Sequence, residues 1–352
     1  SYIATYKTPI KTDPFAVPLS EKVEMMMEVN RTMLAYEGIR QAVFYLIMHK
    51  DEKLFASTLG TRLDITYQFI DPMITATAVA DGDSQSRTFD EGGRAVGWEW
   101  IESLDLLQIA RQTAQEALIK VKAESLGAET RRTLILDPNH LGLTMHESVG
   151  HPTELDRVLG WEADYAGISF ATPEKLKNYR YGSEIVNFVG DNTLSEGLAT
   201  LGFDDDGVPG QKWHIIKDGI LNEYGSTRDT AMEIGLEYSR GCNRATYYYD
   251  QPINRIPNLY LLPGTKALSP AELIADTEDG VYIQGRGSFS IDQHRVNFQF
   301  GGDFFWEIKN GKLIRPLKKI LYKSCNPEFW NSCDAICDER FWRPFGVVNC
   351  GK

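Results

Sequence analysis

Asx-Gly dipeptides at Asp206-Gly207, Asp218-Gly219 and Asn310-Gly311 punctuate the second half of this chain, each flanked by apolar or aromatic residues. Asp, Asn and Gly tolerate the left-handed backbone of a two-residue hairpin loop, so the signal commits this half to antiparallel strands. The first half reads differently. Between residues 103 and about 123, Leu106, Ile109, Ala110, Ala114, Ala117 and Val121 recur at spacings of three and four, with Lys, Arg, Glu and Gln between them. That period predicts an amphipathic helix. An earlier helix is expected from an N-cap at Ser20 to about Ala35, with Val23, Met26, Met27, Met33 and Leu34 on its apolar face. β-Branched and aromatic enrichment predicts strands at 42–48, 53–57, 64–70 and 74–80, with a turn at His49-Lys50-Asp51-Glu52. Polar residues 124–129 read as a linker. The fold class is therefore α+β: an N-terminal domain (1–128) mixing helices with an antiparallel sheet, then a larger β-rich catalytic domain (129–352).

Composition narrows the partners. A chain of 352 residues with 42% hydrophobic and 24% charged residues builds its own core without a disulfide framework. The longest apolar run, 42–48, falls far short of the roughly 20 residues a bilayer span needs, so no membrane partner is expected. With 37 Lys+Arg against 49 Asp+Glu, the net charge of −12 repels phosphate backbones, and nucleic acid is not expected either. Five cysteines, an odd number, fit a reducing compartment, and no secretory signal opens the chain; the expected location is cytoplasmic. The start at Ser1 and the stop at Gly351-Lys352 suggest a chain trimmed at both ends.

The chemistry concentrates in one stretch. A short strand at 132–136 stops at Asp137-Pro138, and 139–150 reads as a helix capped by Asn139 and ended by Pro152. Inside it lies His146-Glu147-x-x-x-His151. Two imidazoles beside a carboxylate suit a zinc hydrolase: neutral nitrogens hold the ion while the Glu takes a proton from water without being a ligand. Histidines five apart sit roughly 140° around an ideal helix, so both reach one ion only if the helix widens or unwinds near Gly150. A catalytic zinc wants a third protein ligand, and spacing leaves Cys350, Cys242, His214, His294 and Glu154 open.

Several ordered blocks then carry a resemblance: the His146 to His151 motif with Glu154 and Asp156 behind it; Asp204-Asp205-Asp206-Gly207 with Pro209; Ile216-Lys217-Asp218-Gly219-Ile220-Leu221; Gly241, Arg244 and Tyr247; Pro252, Arg255 and Asn258; Leu262-Pro263-Gly264; Gly302-Asp303-Phe304; Lys309-Asn310-Gly311-Lys312; and Cys350-Gly351-Lys352. From about Ala76 onward the chain resembles the TldD/PmbA family of zinc metallopeptidases, in its metal-retaining TldD-type branch. The resemblance implies Cys350 as the third zinc ligand beside His146 and His151, and Glu147 as the base. Arg244, Arg255 and Asn258 become candidates for gripping a substrate carboxylate or an extended peptide backbone. It further implies peptide substrates and a homodimer or a heterodimer with a family paralogue. Two alternatives stand beside the peptidase: a tailoring enzyme cleaving or transferring an amide on a small conjugate, and a non-catalytic scaffold subunit. Relative to the family, part of the N-terminal domain and the glycine-rich tail after Cys-Gly-Lys are expected to be absent, and the glycine run before Gly302 reads Gly285-Arg286-Gly287-Ser288-Phe289-Ser290, with His294 nearby. Cys333 and Cys337, four apart, are expected at most to share a helix face.

Overall fold

A computed structural model of the chain describes residues 3–348 and 350; Ser1-Tyr2 and the Gly351-Lys352 end of the terminal block lie outside the described residues. The first half is organised by one long hairpin. Strands β2 (Ile39–Ala56) and β3 (Arg62–Ala80) pair antiparallel from Ala56 opposite Arg62 to Ile39 opposite Ala78. The other side of β3 is shared by β1 (Ile3–Lys7), parallel to it, and β4 (Asp83–Asp90), antiparallel. The expected turn at His49–Glu52 is not there. Each of those residues pairs with β3, and the His49 ring stacks on Phe69 at 4.9 Å. Lys50, Asp51 and Glu52 are polar because this part of β2 is exposed, and cross-strand pairing overrides their turn character.

Two helices cover the sheet. Helix α1 (Leu19–Leu34) follows Pro18 with no side-chain cap, so Ser20 lies inside it. Its inward face runs through Lys22, Met26, Val29 and Met33, whereas Val23, Met27 and Leu34 are exposed. The helix predicted at 103–123 is α3 (Leu106–Lys122), preceded by a separate short α2 (Glu99–Ser103). The break comes at Asp105, whose carboxylate accepts from the Gln108 N–H and caps α3. Ala110, Ala114, Ala117 and Val121 of α3 pack with Ile70, Ile74, Ala76 and Ala78 of β3 in one core.

The second half is a set of small sheets. Strand β5 (Thr133–Leu136) leads into α4 (Pro138–Met145) and then the short α5 (Leu155–Val158). Strands β6 (Phe188–Asp191), β7 (Lys212–Lys217) and β8 (Ile220–Leu221) come next, and β9 (Asn243–Arg244) pairs with β10 (Ile253–Asn254). Strand β11 (Leu259–Leu261) completes a sheet ordered β11-β6-β7-β8. After β12 (Asp279–Gln284), a three-stranded sheet is formed by β13 (Phe289–Ile291), β14 (Asn297–Gly301) and β17 (Leu321–Cys325). The last sheet takes β15 (Phe304–Lys309) and β16 (Lys312–Leu317) in the order β16-β15-β12-β5, with β5 parallel to β12. Asp218-Gly219 and Asn310-Gly311 form the predicted hairpin turns, with φ of +51°, +75°, +48° and +73° in chain order. Asp206-Gly207 instead makes a tight turn closed by a single bridge between Phe203 and Pro209. Cys333 and Cys337 lie in irregular chain, not on a helix. With 24% helix and 32% strand over several sheets, the mixed α+β expectation holds.

Candidate metal centre

Asp137, not Asn139, starts the helix of the motif: its carboxylate accepts from the Asn139 N–H and Pro138 occupies the first turn, where a missing N–H costs nothing. α4 then widens into a π-helical turn over His146–Gly150 and tightens into a 3-10 turn over His151–Thr153. The wider turn cancels the angular mismatch of a five-residue spacing. The two imidazole rings come to 4.8 Å between centroids, near perpendicular. Gly150 packs closely there: a Cβ would lie 2.8 Å from Ile256 Cδ1 and 3.2 Å from its Cγ2, so Ile256 would have to shift. The segment is fixed from below by a buried core of Val149, Leu155, Tyr181, Phe188, Tyr224 and Trp330.

Cys350 arrives from the other end of this half. Its Sγ lies 2.9 Å from His146 Nε2 and 3.6 Å from His151 Nε2, and the three donor atoms fall within 4.8 Å of one another. His214, His294, Cys242 and Glu154, the other candidates open from spacing, are not part of this trio. Cys242 is fully buried, which pushes its thiol up to about 12 and keeps it inert. Burial also opposes ionisation of Cys350, but hydrogen bonds from His146 and His151 outweigh it and hold the thiol down at about 4, where it is a thiolate.

Glu154 sets the orientation of the second imidazole. Its Oε2 is 2.7 Å from His151 Nδ1. Although burial resists the charge on Glu154, His151, Arg255 and Arg157 hold its carboxyl well below the usual range. An ionised carboxylate only accepts, so Nδ1 carries the proton and Nε2 is turned toward Cys350. Arg157, fully buried, donates Nε and Nη2 to the same oxygen and pairs with Glu162. Two imidazole nitrogens and a thiolate are a donor set suited to zinc. The 3.6 Å between Cys350 and His151 is about the separation that tetrahedral bonds of roughly 2.3 and 2.0 Å give; His146 and Cys350 need to part by about half an ångström. The residues fit the ion.

Glu147 is buried and paired with Arg295, whose Nη1 is 3.2 Å from Oε2. Arg295 sits in the turn between β13 and β14 with φ of +62°, a conformation held by Asp292, which accepts from the Val296 and Asn297 N–H groups. Arg255 donates to Cys350 Sγ at 3.3 Å and lies 3.9 Å from Glu154 Oε1. Arg244 donates one N–H to Ile256 O at 2.6 Å. Its strand is fixed by the acidic turn: Asp204 accepts from the Asn243 N–H, and Asp205 from that of Ala245. Asn258 is used elsewhere. Its amide donates to Asp191 O and Thr200 Oγ1 and its carbonyl accepts from Ala199, so the side chain is fully engaged in holding the 191–200 loop.

Comparison with known proteins supplies the lineage. The model of the PmbA/TldA metallopeptidase C-terminal domain matches residues 129–351, and that of the central domain matches 12–121. The chain belongs to the PmbA/TldD metallopeptidase family. Among similar proteins, a metalloprotease of Methanothermobacter thermautotrophicus is 28% identical over 340 residues, covering 96% of this chain and 70% of its own. A metalloprotease of Methanocaldococcus jannaschii is 29% identical over 316 residues, covering 90% of this chain and 66% of its own. The chain thus spans about two thirds of the length of these relatives. A zinc metalloprotease TldD homolog of Saccharolobus solfataricus is 28% identical over 188 residues, covering 53% of this chain and 39% of its own. These names support a metal cofactor. Of solved structures, a Thermotoga maritima protein named as a candidate modulator of a DNA gyrase superposes with a TM-score of 0.77 at 18% identity, over 94% of this chain and 72% of that one. The fold is shared on that evidence; nothing about DNA follows.

Two arginines of this PmbA/TldD site escape a reading of the sequence. Arg157 left a trace, since Glu154 and Arg157 stand three apart, a spacing that pairs side chains on a helical turn. Arg295 left none: its partner is 148 residues away, and only the β13–β14 turn brings them together.

Proposed function

We propose that this chain is a zinc-dependent peptidase acting on short or unfolded peptides, with His146, His151 and Cys350 as ligands and Glu147 as general base. One observation supports it most: two imidazoles and a thiol meet within 4.8 Å, and the residue next in sequence to the first imidazole is a buried glutamate. A zinc ion in such a donor set supplies Lewis acidity that polarises a peptide carbonyl and acidifies water. Glu147 accepts the proton of the attacking water and delivers it to the leaving amine. Arg295 orients that carboxylate and keeps it from rotating out of line. Arg255 donates to the Cys350 sulfur, which spreads the thiolate's charge. Glu154 accepts from the His151 Nδ1–H, so Nε2 is the nitrogen that would face an ion once its own proton is released. A second family subunit, identical or paralogous, and a reducing cytoplasm belong to the same reading, in keeping with free thiols at all five cysteines.

Peptide mixtures incubated with wild type and with Glu147→Gln, followed by mass spectrometry and zinc analysis of both proteins, test it. Wild type is expected to cleave, while Glu147→Gln keeps its zinc and loses at least about a hundredfold in turnover. A zinc-loaded Glu147→Gln that cleaves like wild type overturns the assignment.

A further inference from the structure

The third candidate ligand hangs on a long irregular strap. From Ser332 to Cys350 the described residues form no helix or strand beyond the 3-10 turn Glu339–Phe341. The first part of the strap is tied to the second half of the chain. The Gly264 N–H donates to Cys337 O at 2.9 Å, the Leu268 N–H donates to Asp338 at 2.7 Å, and the Trp342 ring meets Tyr260 at 5.7 Å. Its last part crosses to the first half. The Gly93 N–H donates to Gly346 O at 3.2 Å, and a Cβ on Gly346 would run into the Gly93 carbonyl. The Phe345 ring lies against Gly142 of α4, the helix that leads into His146, and leaves no room there for a Cβ. One side chain joins these contacts. Arg286, the charged residue of the 285–290 run, donates Nε and Nη2 to the buried Asp90 at the end of β4. Its guanidinium also lies over the Phe345 ring, 5.0 Å from the centroid. The other Asp90 oxygen accepts from the Gly92 N–H at 2.9 Å, so the same carboxylate fixes the turn that receives Gly346.

A ligand on irregular chain holds an ion only once its segment is ordered, and ordering costs conformational entropy unless other contacts already fix it. Gly346 stands four residues before Cys350, a tether of at most about 14 Å. A strap released at Phe345 and Gly346 therefore lets the sulfur leave the two histidines. A guanidinium face on an aromatic ring and a charge-assisted pair to a buried carboxylate are both directional contacts suited to pinning such a strap. Resting on the zinc-ligand reading above, we propose that Arg286 is a positioning residue: it latches Phe345 and Gly346 to the Asp90–Gly93 turn and so seats Cys350 in the metal centre. Arg286 acts through Phe345 rather than on the ion. The first half of the chain thereby supplies the seat of the third ligand, and by linkage metal binding and docking of the strap favour each other.

Zinc and cobalt titrations of the whole chain test the latch. Cobalt held by a thiolate gives an intense near-ultraviolet charge-transfer band, which reports the sulfur directly. Arg286→Ala is expected to weaken zinc at least about tenfold and to lower the band per bound cobalt, because the latched population falls. Arg286→Lys keeps a charge for Asp90 but loses the planar stack, and is expected to fall between. Arg286→Ala also strips buried Asp90 of its cation, so Phe345→Leu serves as a second variant. It leaves every charge in place and is expected to weaken zinc at least about threefold. Melting temperatures check that each variant is folded; should Arg286→Ala fail that check, Arg286→Lys and Phe345→Leu decide. Every substitution is repeated in Cys350→Ser. A residue that acts through the sulfur has nothing further to lose there, so the fold-changes shrink to near one. Losses of the same size in Cys350→Ser mean a general structural role and overturn the proposal. Wild-type zinc affinity with a full band in folded Arg286→Lys and Phe345→Leu overturns it too, and leaves the ligand assignment standing. Wild type that binds cobalt without the thiolate band overturns the ligand assignment itself, and the latch with it.

Discussion

At the scale of single residues, function here depends on what stands behind each reactive group. His151 turns its Nε2 toward Cys350 because its Nδ1–H donates to Glu154, and Glu154 stays ionised because Arg157 and Arg255 surround it. His140, eleven residues earlier, shows the opposite use of burial. It is fully buried between Gly285 O and Tyr322 Oη, each 2.9 Å from a ring nitrogen. Burial pushes its pKa down to about 4, against the pull of the Gly285 carbonyl and Asp137. The unfolded chain binds the proton near the ordinary value of about 6.5. The folded state therefore favours neutral His140, whose contribution is complete above about 6.5 and is lost as pH falls toward 4, a loss of about 3 kcal/mol. Urea titrations at pH 7.5 and pH 4.5 are expected to differ more for wild type than for His140→Gln. An equal pH response in both proteins contradicts this role.

At the scale of elements, the site depends on a defect in a helix. The switch from α to π to 3-10 over residues 138–153 brings two histidines five apart onto one side. Gly150→Ala forces a Cβ against Ile256 and is expected to cost about 1–3 kcal/mol, lowering the melting temperature and the zinc bound per chain. Unchanged zinc content in a folded Gly150→Ala argues against the geometry. Much of this element was legible beforehand: the spacing demanded a distortion, and Gly150 followed by Pro152 located it. Its cap is ambiguous in sequence because Asp137 and Asn139 are both good cap residues, and Pro138 at the first helical position is what favours Asp137. Similarly, the polar run at His49–Glu52 looks like a turn in sequence, whereas pairing with β3 makes it strand. Short-range chemistry located the helices and hairpins, while contacts between distant segments chose the face of α1 and the partner of Glu147.

At the scale of the whole molecule, the two halves are joined through a buried ion cluster. Asp303, at the start of β15, accepts from Arg87 and the Thr88 N–H of β4 and from Lys120 of α3. Arg87 also pairs with Glu116, so the cluster ties the helix, the first sheet and the second half together. Asp303→Ala leaves two cations there short of a partner and is expected to cost about 3–5 kcal/mol, read by urea denaturation. A loss below about 1 kcal/mol places the stability of the joint elsewhere. The same long-range closure brings Cys350 to histidines some two hundred residues earlier, and the account depends on it. X-ray absorption at the zinc edge of the loaded protein tests it most directly. The prediction is one sulfur at about 2.3 Å with nitrogen ligands at about 2.0 Å, the sulfur vanishing in Cys350→Ser. A shell of nitrogen and oxygen alone in wild type, or sulfur that persists in Cys350→Ser, contradicts it.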